Sequence, residues 1–486
     1  MIPSKLQNQK HLHKVKDHFD LMSKDRDRWI KRAEYFHSED LRVIKEIIPV
    51  ESSVLEIGCG NGNLIGKLGV KKGVGVDISD KLINFAKKKF PKVHFYCNDI
   101  ISDNKKLLSE GKFDFILISD TIGYFHDIQK YLESIHFFCK PETRIIISYF
   151  SPIWQPILSL SEKIGLKMPN LNPPLFASSD LKNFLEISDY QTIKVEKKIL
   201  FPLSLFGLGR LINRFIANLP FINHLCLRQY LISRSTKFVK ENQYNSVSII
   251  IPCKNEFGNI KTGLRRIEKF CKKMEIIFVE GNSSDNTWNE IQSVIKDNEF
   301  KKKKYTIKAY KQTSTGKKNA VFEGFNKANN EILMILDGDL TVKPEELRKF
   351  WDKISSGEAE FVNGTRLIYP MEKDAMRFLN YIANKLFSHL FSWILGQKYT
   401  DTLCGTKVIS KKNYLRATQF TKDLQRLDPF GDFFLIFSSQ RLNLKMIEIP
   451  IRYAPRAYGE TQISRFRDGL KLIKMFVISF FKFKAF

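Results

Sequence analysis

The chain has 486 residues, too many for one ordinary core, so two domains of roughly 200 residues each are expected. Its 43% hydrophobic content can fill two cores and, beside 27% charged residues, excludes a disordered chain. Lys and Arg number 79 against 52 Asp and Glu, a formal net charge of +27. That suits an anionic membrane surface or simply a Lys-rich composition, and no basic–aromatic platform directs it at nucleic acid.

The seven cysteines are scattered without a CxxC pair, which argues against a disulfide framework or a zinc site and fits a reducing compartment. The polar N-terminus lacks the apolar core of a secretory signal, and a helix is expected over 26–48. Strands at 54–57, 73–77, 93–97, 113–118 and 144–148 then alternate with helices at 62–68, 81–89 and 128–139, the rhythm of a parallel sheet covered on both faces. This domain is expected to span 1–198. Residues 199–245 are expected to be an amphipathic connector containing the basic stretch 228–240. A second alternation fills 246–486, with strands at 247–251, 275–279, 305–310 and 331–336 and helices at 258–272, 287–298 and 316–329. The two halves show no sequence repeat, so two unrelated α/β domains are expected. No window offers about 20 uncharged apolar residues, so no spanning helix is expected. Segments 199–232, 376–395 and 469–486 are amphipathic enough to lie on a bilayer, and a docked C-terminal helix would account equally for the last.

The first strand runs into Gly58-Cys59-Gly60-Asn61-Gly62. Lacking Cβ atoms, these glycines let the backbone turn sharply and approach a ligand. The run is neither the dinucleotide fingerprint, whose last glycine would replace Asn63, nor a phosphate-binding P-loop. Asp77 ends the second strand, where a carboxylate can accept both ribose hydroxyl protons, and Asn98-Asp99 could meet an adenine edge. Over about residues 30–150 the segment resembles a class I S-adenosylmethionine-dependent methyltransferase with a Rossmann-like sheet. That resemblance implies S-adenosyl-L-methionine as cofactor. Gly58, Gly60, Gly62 and Glu56 would lie at its methionine end, Asp77 at the ribose, Asp99 at the adenine, and Asp120 near the transferred methyl group. His126 is the nearby histidine that could act as base, unless it only caps or packs the helix that follows.

In the second half, three strands end in Pro252-Cys253-Lys254-Asn255-Glu256, Glu280-Gly281-Asn282-Ser283-Ser284-Asp285 and Asp337-Gly338-Asp339. Polar loops at strand C-termini form the usual binding edge of an open α/β sheet. Two carboxylates one residue apart can hold a divalent cation (Mg²⁺ or Mn²⁺) and the diphosphate it neutralises. Over about 246–476 the chain resembles the inverting family 2 glycosyltransferases of GT-A fold, and within them the polyprenyl-phosphate sugar transferases of dolichol-phosphate type. The resemblance implies donor contacts at Pro252, Asn255, Glu256, Glu280, Ser284, Asp285, Lys317, Asp337, Gly338 and Arg366, with Asp337 and Asp339 as metal ligands. Thr341 stands where some relatives place a Gln ligand. Asp401, Gly405 and Lys407 would line the acceptor side, and Asp432 would sit near the acceptor. Arg456 and Arg465 would belong to a loop closing over the diphosphate.

Together these resemblances imply a nucleotide-sugar donor (UDP- or GDP-linked) and a polyprenyl phosphate or membrane glycolipid as acceptor. The expected reaction is an inverting, metal-assisted transfer fused to a methyltransferase, in cell-surface glycan or glycolipid synthesis. The chain is expected in the cytoplasm, peripheral to the inner face of the membrane, with no nucleic acid partner. A lipid phosphate is already anionic and needs no strong base; a glycan hydroxyl would instead require Asp432 as base. A membrane-bound scaffold with a silent methyltransferase domain is the alternative of another class.

Overall fold

The computed structural model describes residues 2–101, 105–239, 244–370, 378–428, 431–456, 458 and 465–485. The chain divides into two units, Met1–Phe238 with Lys484–Phe486, and Val239–Phe483.

The first unit is built on strands β1 (Ser53–Ile57), β2 (Lys72–Asp77), β3 (His94–Cys97), β4 (Phe113–Ser119), β5 (Cys139–Phe150), β6 (Tyr190–Lys198) and β7 (Arg228–Ser235). They form one sheet in the order β3-β2-β1-β4-β5-β7-β6. The first five are parallel, and β7 enters antiparallel between β5 and β6. Successive side chains feed opposite layers, as a strand requires: Ile116 and Ile118 join one apolar cluster and Phe115 and Leu117 the other. Helix Asp80–Lys89 follows β2, with the Ser79 hydroxyl accepting the Leu82 amide at 3.1 Å, Asp80 in its first turn and three lysines in its last, all favourable to the helix dipole.

Two expectations are corrected here. The helix expected over 26–48 is two helices, Arg26–Arg32 and Glu34–Ile47, separated by non-helical backbone at Ala33 (φ −102°, ψ 29°). The segment 199–245 is not a connector. Every residue of β7 is buried, and the strand pairs with β5 from Ile145↔Ser233 to Phe150↔Arg228, so the first unit runs on to Phe238. Its basic stretch reads as surface in the sequence, yet Arg228 is fully buried against acidic partners.

The second unit carries β8 (Ser246–Cys253), β9 (Lys273–Glu280), β10 (Thr306–Lys311), β11 (Ile332–Ile335), β12 (Phe361–Thr365), β13 (Lys407–Ser410) and β14 (Met446–Pro450). Their order is β10-β9-β8-β11-β13-β12-β14, with β13 antiparallel to both neighbours. β8, β9, β10 and β11 are parallel, so their C-terminal loops share one edge. Helices Phe378–Leu395 and Arg465–Phe483 pack together through Phe391 against Phe476 and Trp393 against Phe480. Leu379, Leu386, Leu470 and Ile473 on these helices stay exposed. Among the described residues no helix is long and apolar enough to cross a membrane.

Candidate active sites

In the first unit the loop after β1 holds Gly58, Gly60 and Gly62 at φ +73°, +55° and +72°. A Cβ on Gly58 would lie 2.8 Å from Thr121 Cβ, and one on Gly62 would lie 2.6 Å from the Phe95 ring, so these turns need glycine for space as well as for backbone angle. The half-buried Asp77 carboxylate accepts the Gly60 amide at 2.8 Å and the Ser79 amide at 2.9 Å. Burial raises its pKa against the pull of those bonds. Gly58, Gly60, Asp77, Asn98, Asp99 and Asp120 all line one cavity of about 1320 Å³. The structure thus assembles most of the expected cofactor residues around one space.

Three of the expected residues in this unit are placed differently. Glu56 does not line the cavity; its carboxylate accepts the Ile65 amide at 3.0 Å under the start of helix Asn63–Leu68, and burial pushes it up to about 8. His126 is exposed, edge-on to His11 at 5.4 Å, and outside the cavity lining; the cap of the following helix is Asp127, which accepts the Lys130 amide. Asp120, at φ +53°, does line the cavity but is ion-paired with Arg228 from β7. Arg228 also donates to Asp40 at 3.0 Å and to Ser119 at 3.0 Å, and Tyr230 donates to Asp40 at 2.6 Å.

Two cavity residues carry no motif. Arg26 places its guanidinium about 3.4 Å from where a Gly60 side chain would begin, and its buried Nε lacks a hydrogen-bond partner. An orphaned donor beside a glycine loop suits a carboxylate on a bound ligand. His37 also lines the cavity, and burial lowers its pKa, keeping the imidazole neutral. Both precede the first strand, and only the folded chain brings them to the loop. A half-buried acid at the ribose position, glycines that leave no room for side chains and a spare guanidinium together fit S-adenosylmethionine.

In the second unit the loops after β8, β9 and β11 meet at one sheet edge. Asn255 (φ +56°) accepts the Ser284 amide at 2.9 Å, and Glu280 accepts the Ser283 amide at 2.5 Å. Asp285 accepts the Thr287 amide and hydroxyl, while Thr287 accepts the Glu256 amide. These bonds tie the first two loops into one cradle. Burial, reinforced by the nearby Asp339, pushes Glu256 up to about 7 despite a bond from Asn259. Gly338 lies so near Pro252 that a Cβ would stand 3.0 Å from that carbonyl.

The two metal-ligand candidates carry cations of the chain itself. Lys317 pairs with Asp337 at 2.6 Å, and beside that ammonium the half-buried Asp337 carboxyl is held below the usual carboxylate range. Asp339 pairs with Arg456 at 2.8 Å and accepts the Thr341 hydroxyl at 2.8 Å, so Thr341 orients Asp339. Two carboxylates are what a cation shared with a diphosphate needs from protein, and Asp337 and Asp339 would hold it. Among the described residues no group of three or more His, Cys, Asp or Glu side chains could hold a metal by itself.

Other expected residues are already engaged within the fold. Arg366 does not hold out a fork for phosphate: it grips the buried Asp401 at 2.6 and 3.0 Å and lies 5.0 Å from the Tyr453 ring. Asp401 is therefore the partner of Arg366 and not an acceptor-facing group. Gly405 lies against Lys317 and Asp337, where a Cβ would stand 2.6 Å from Lys317 Nζ and 2.7 Å from Asp337 Cγ. Lys407 is fully buried and bonds Asp432 at 3.0 Å. Arg465 opens helix Arg465–Phe483, but its side chain, like most of the loop before it, lies outside the described residues.

The first unit thus presents a glycine loop and Asp77 at a cavity, and the second presents two aspartates at a sheet edge. Residues 28–195 match the model of the family described as methyltransferase domain, and residues 248–417 match glycosyl transferase family 2. The chain is 30% identical over 225 residues to a dolichol-phosphate mannosyltransferase of Pyrococcus furiosus, covering 45% of this chain and 59% of the relative. It is 25% identical over 238 residues to an undecaprenyl-phosphate 4-deoxy-4-formamido-L-arabinose transferase of Proteus mirabilis, covering 48% and 65%. It thus spans less than two thirds of either relative. Among solved structures it is similar to an S-adenosylmethionine-dependent methyltransferase of Thermotoga maritima, at 16% identity and a TM-score of 0.35, covering 46% of this chain and 99% of that one. The chain is a fusion of a methyltransferase-like domain, with a Rossmann-like sheet, and a family 2 glycosyltransferase-like domain, with a GT-A-like sheet.

Proposed function

We propose that the second unit transfers a sugar from a nucleoside-diphosphate sugar to a polyprenyl phosphate with inversion, and that the first methylates an acceptor from S-adenosylmethionine. The observation that carries the reading is the edge where Asp337, Asp339, Lys317 and Arg456 converge beside Gly405. A divalent cation at the two aspartates would neutralise the donor diphosphate and ease its departure. Lys317 and Arg456 add fixed positive charge where the leaving group gains negative charge. An acceptor phosphate is already anionic, so the chain need only align it with the anomeric carbon. The reading with a glycan hydroxyl and Asp432 as base has less support, because Lys407 already engages that carboxylate. Relatives named for dolichol-phosphate and undecaprenyl-phosphate substrates favour the lipid phosphate.

S-adenosylmethionine would bring a methyl group already activated by its sulfonium. In the first unit Asp77 would hold the ribose and Arg26 the methionyl carboxylate, and the neutral His37 could take a proton from the acceptor. The net charge of +27 and the apolar side chains exposed on both units favour work at the inner face of the cytoplasmic membrane.

The test is transfer of label from radioactive UDP- and GDP-sugars to a short polyprenyl phosphate, with Mg²⁺ or Mn²⁺, counted in the organic phase. Labelled lipid that disappears in Asp339→Ala is the expected result. Donor hydrolysis that still depends on Asp339, with no lipid labelled across the panel, would overturn the lipid-phosphate reading.

A further inference from the structure

The cavity of the first unit is larger than its cofactor requires. Pockets that enclose a drug-sized ligand run from about 300 to 1,000 Å³, whereas this one is about 1320 Å³. Gly58, Gly60, Asp77 and Asp99 line it, and so do Trp154, Ile157, Leu158, Leu166, Phe176 and Leu203. A polar set of groups around the glycine loop and a set of apolar side chains, an apolar channel, therefore share one space.

The channel walls continue into exposed surface. Ile157 and Leu166 line the cavity and are exposed, as is Leu203 on the opposing segment. Beyond Leu203 the chain displays Leu205, Phe206, Leu208, Leu211 and Phe221, with Phe206 fully exposed and Phe221 at 88%. Exposed apolar clusters of this kind mark interaction surfaces. Backbone conformation sharpens the case: Leu205, Phe206 and Phe221 stand at φ +37°, +53° and +68°. Left-handed backbone is costly for such residues, and here it is spent on side chains that pack against little of the protein.

Charge identifies what covers this surface. From residue 197 to 240 the chain contains no Asp or Glu, while Arg210, Arg214 and His224 lie among the apolar residues. Aromatic and aliphatic side chains mixed with basic ones, free of acidic residues, suit the interface of an anionic bilayer. A protein partner of matching acidity would also meet the charge. It would not account for exposed apolar residues that also line the cavity holding Asp77 and Asp120.

We infer that the methyl acceptor is a membrane-resident amphiphile with a long hydrocarbon chain. It enters from an anionic bilayer through the portal between helix Gln155–Lys163 and segment 201–221, with its tail in the apolar channel and its polar head at Asp120 and His37. The inference rests on the methyltransferase reading for the role of the head group.

The test uses the full chain and two probes. Binding of 11-(dansylamino)undecanoic acid is followed by fluorescence, and sedimentation is measured with phosphatidylcholine vesicles containing 30% phosphatidylglycerol. Cofactor affinity is measured separately by calorimetry with S-adenosylhomocysteine. Saturable binding of one dansyl probe per chain is expected with S-adenosylhomocysteine present. It should weaken at least tenfold in Ile157→Arg with Leu203→Arg, and by far more than S-adenosylhomocysteine affinity does in the same variant. Phe206→Ser with Phe221→Ser should lower vesicle binding at least tenfold. Retained S-adenosylhomocysteine binding with no dansyl binding, or with competition between the two, overturns the inference, as does vesicle binding indifferent to the phenylalanine replacements. Dansyl binding without any S-adenosylhomocysteine binding would instead sink the methyltransferase reading and leave an apolar ligand site.

Discussion

Replacing Gly405 by Ala tests the donor site through a single methyl group. Gly405 has ordinary backbone angles, so the substitution acts through space alone. The new Cβ would stand 2.7 Å from Asp337 Cγ and 2.6 Å from Lys317 Nζ. Comfortable carbon contacts begin near 3.5 Å, so the carboxylate and its lysine must retreat by about 1 Å. A displacement of that size at a positioned group costs about 100-fold in rate, or roughly 2.7 kcal/mol of barrier. Overpacking should remove about 1–3 kcal/mol of stability, which thermal unfolding will register without loss of the fold. The assay is steady-state sugar transfer with saturating Mg²⁺, beside donor affinity by calorimetry. Asp337→Asn serves as a second variant that removes the charge without adding volume. Wild-type turnover in folded Gly405→Ala would refute the placement of the donor phosphates at Asp337.

Arg26→Ala should weaken S-adenosylhomocysteine binding by about 10–100-fold, the worth of one charge-assisted bond, with Arg26→Lys recovering part of it; unchanged calorimetric affinity would remove Arg26 from the site. Glu56 has a folded pKa of about 8 against an ordinary value of 4.5, so the folded state holds the proton more tightly and stability falls as pH rises from 4.5 through 8. Glu56→Gln should therefore unfold at higher denaturant than the parent at pH 9, by on the order of 2–4 kcal/mol, and the gap should close below pH 4.5. Arg228→Met strands the buried Asp40 and should cost about 3–5 kcal/mol, a fall in unfolding temperature of roughly 10 °C; a fall below 2 °C would show that the buried pair contributes little.

Most strands were legible because their signal is local. Apolar runs such as Ile116–Ile118 or Ile249–Ile251 can be buried on both faces, and the glycine and aspartate loops fall where those runs end. β7 was not legible, because what places it is pairing with β5 more than seventy residues earlier and the burial of Arg228 against Asp40 and Asp120. The same nonlocality hid Arg26 and His37, whose positions depend on how the N-terminal helices cover the cavity. It also misdirected Arg366, which reads as a phosphate fork until the fold puts Asp401 2.6 Å away. Sequence identifies groups with the chemistry to act, and folding decides which are already engaged by a neighbour.

The two units, unrelated in sequence, solve one geometric problem alike. In each sheet the strand order reverses beside the strand that carries the first motif, β1 next to β4 and β8 next to β11. Crossover connections leave from opposite sides at such a point, and a crevice opens above the strand ends. The two loops flanking that crevice must nearly touch for polar groups from both to reach one ligand. Gly58 presses against Thr121 after β4 in the first unit, and Gly338 after β11 presses against the Pro252 carbonyl in the second. In both sheets the residue without a side chain stands where two loops converge, with an acid, Asp77 or Asp339, close by. The glycines therefore matter to each crevice through the distance they permit between its loops.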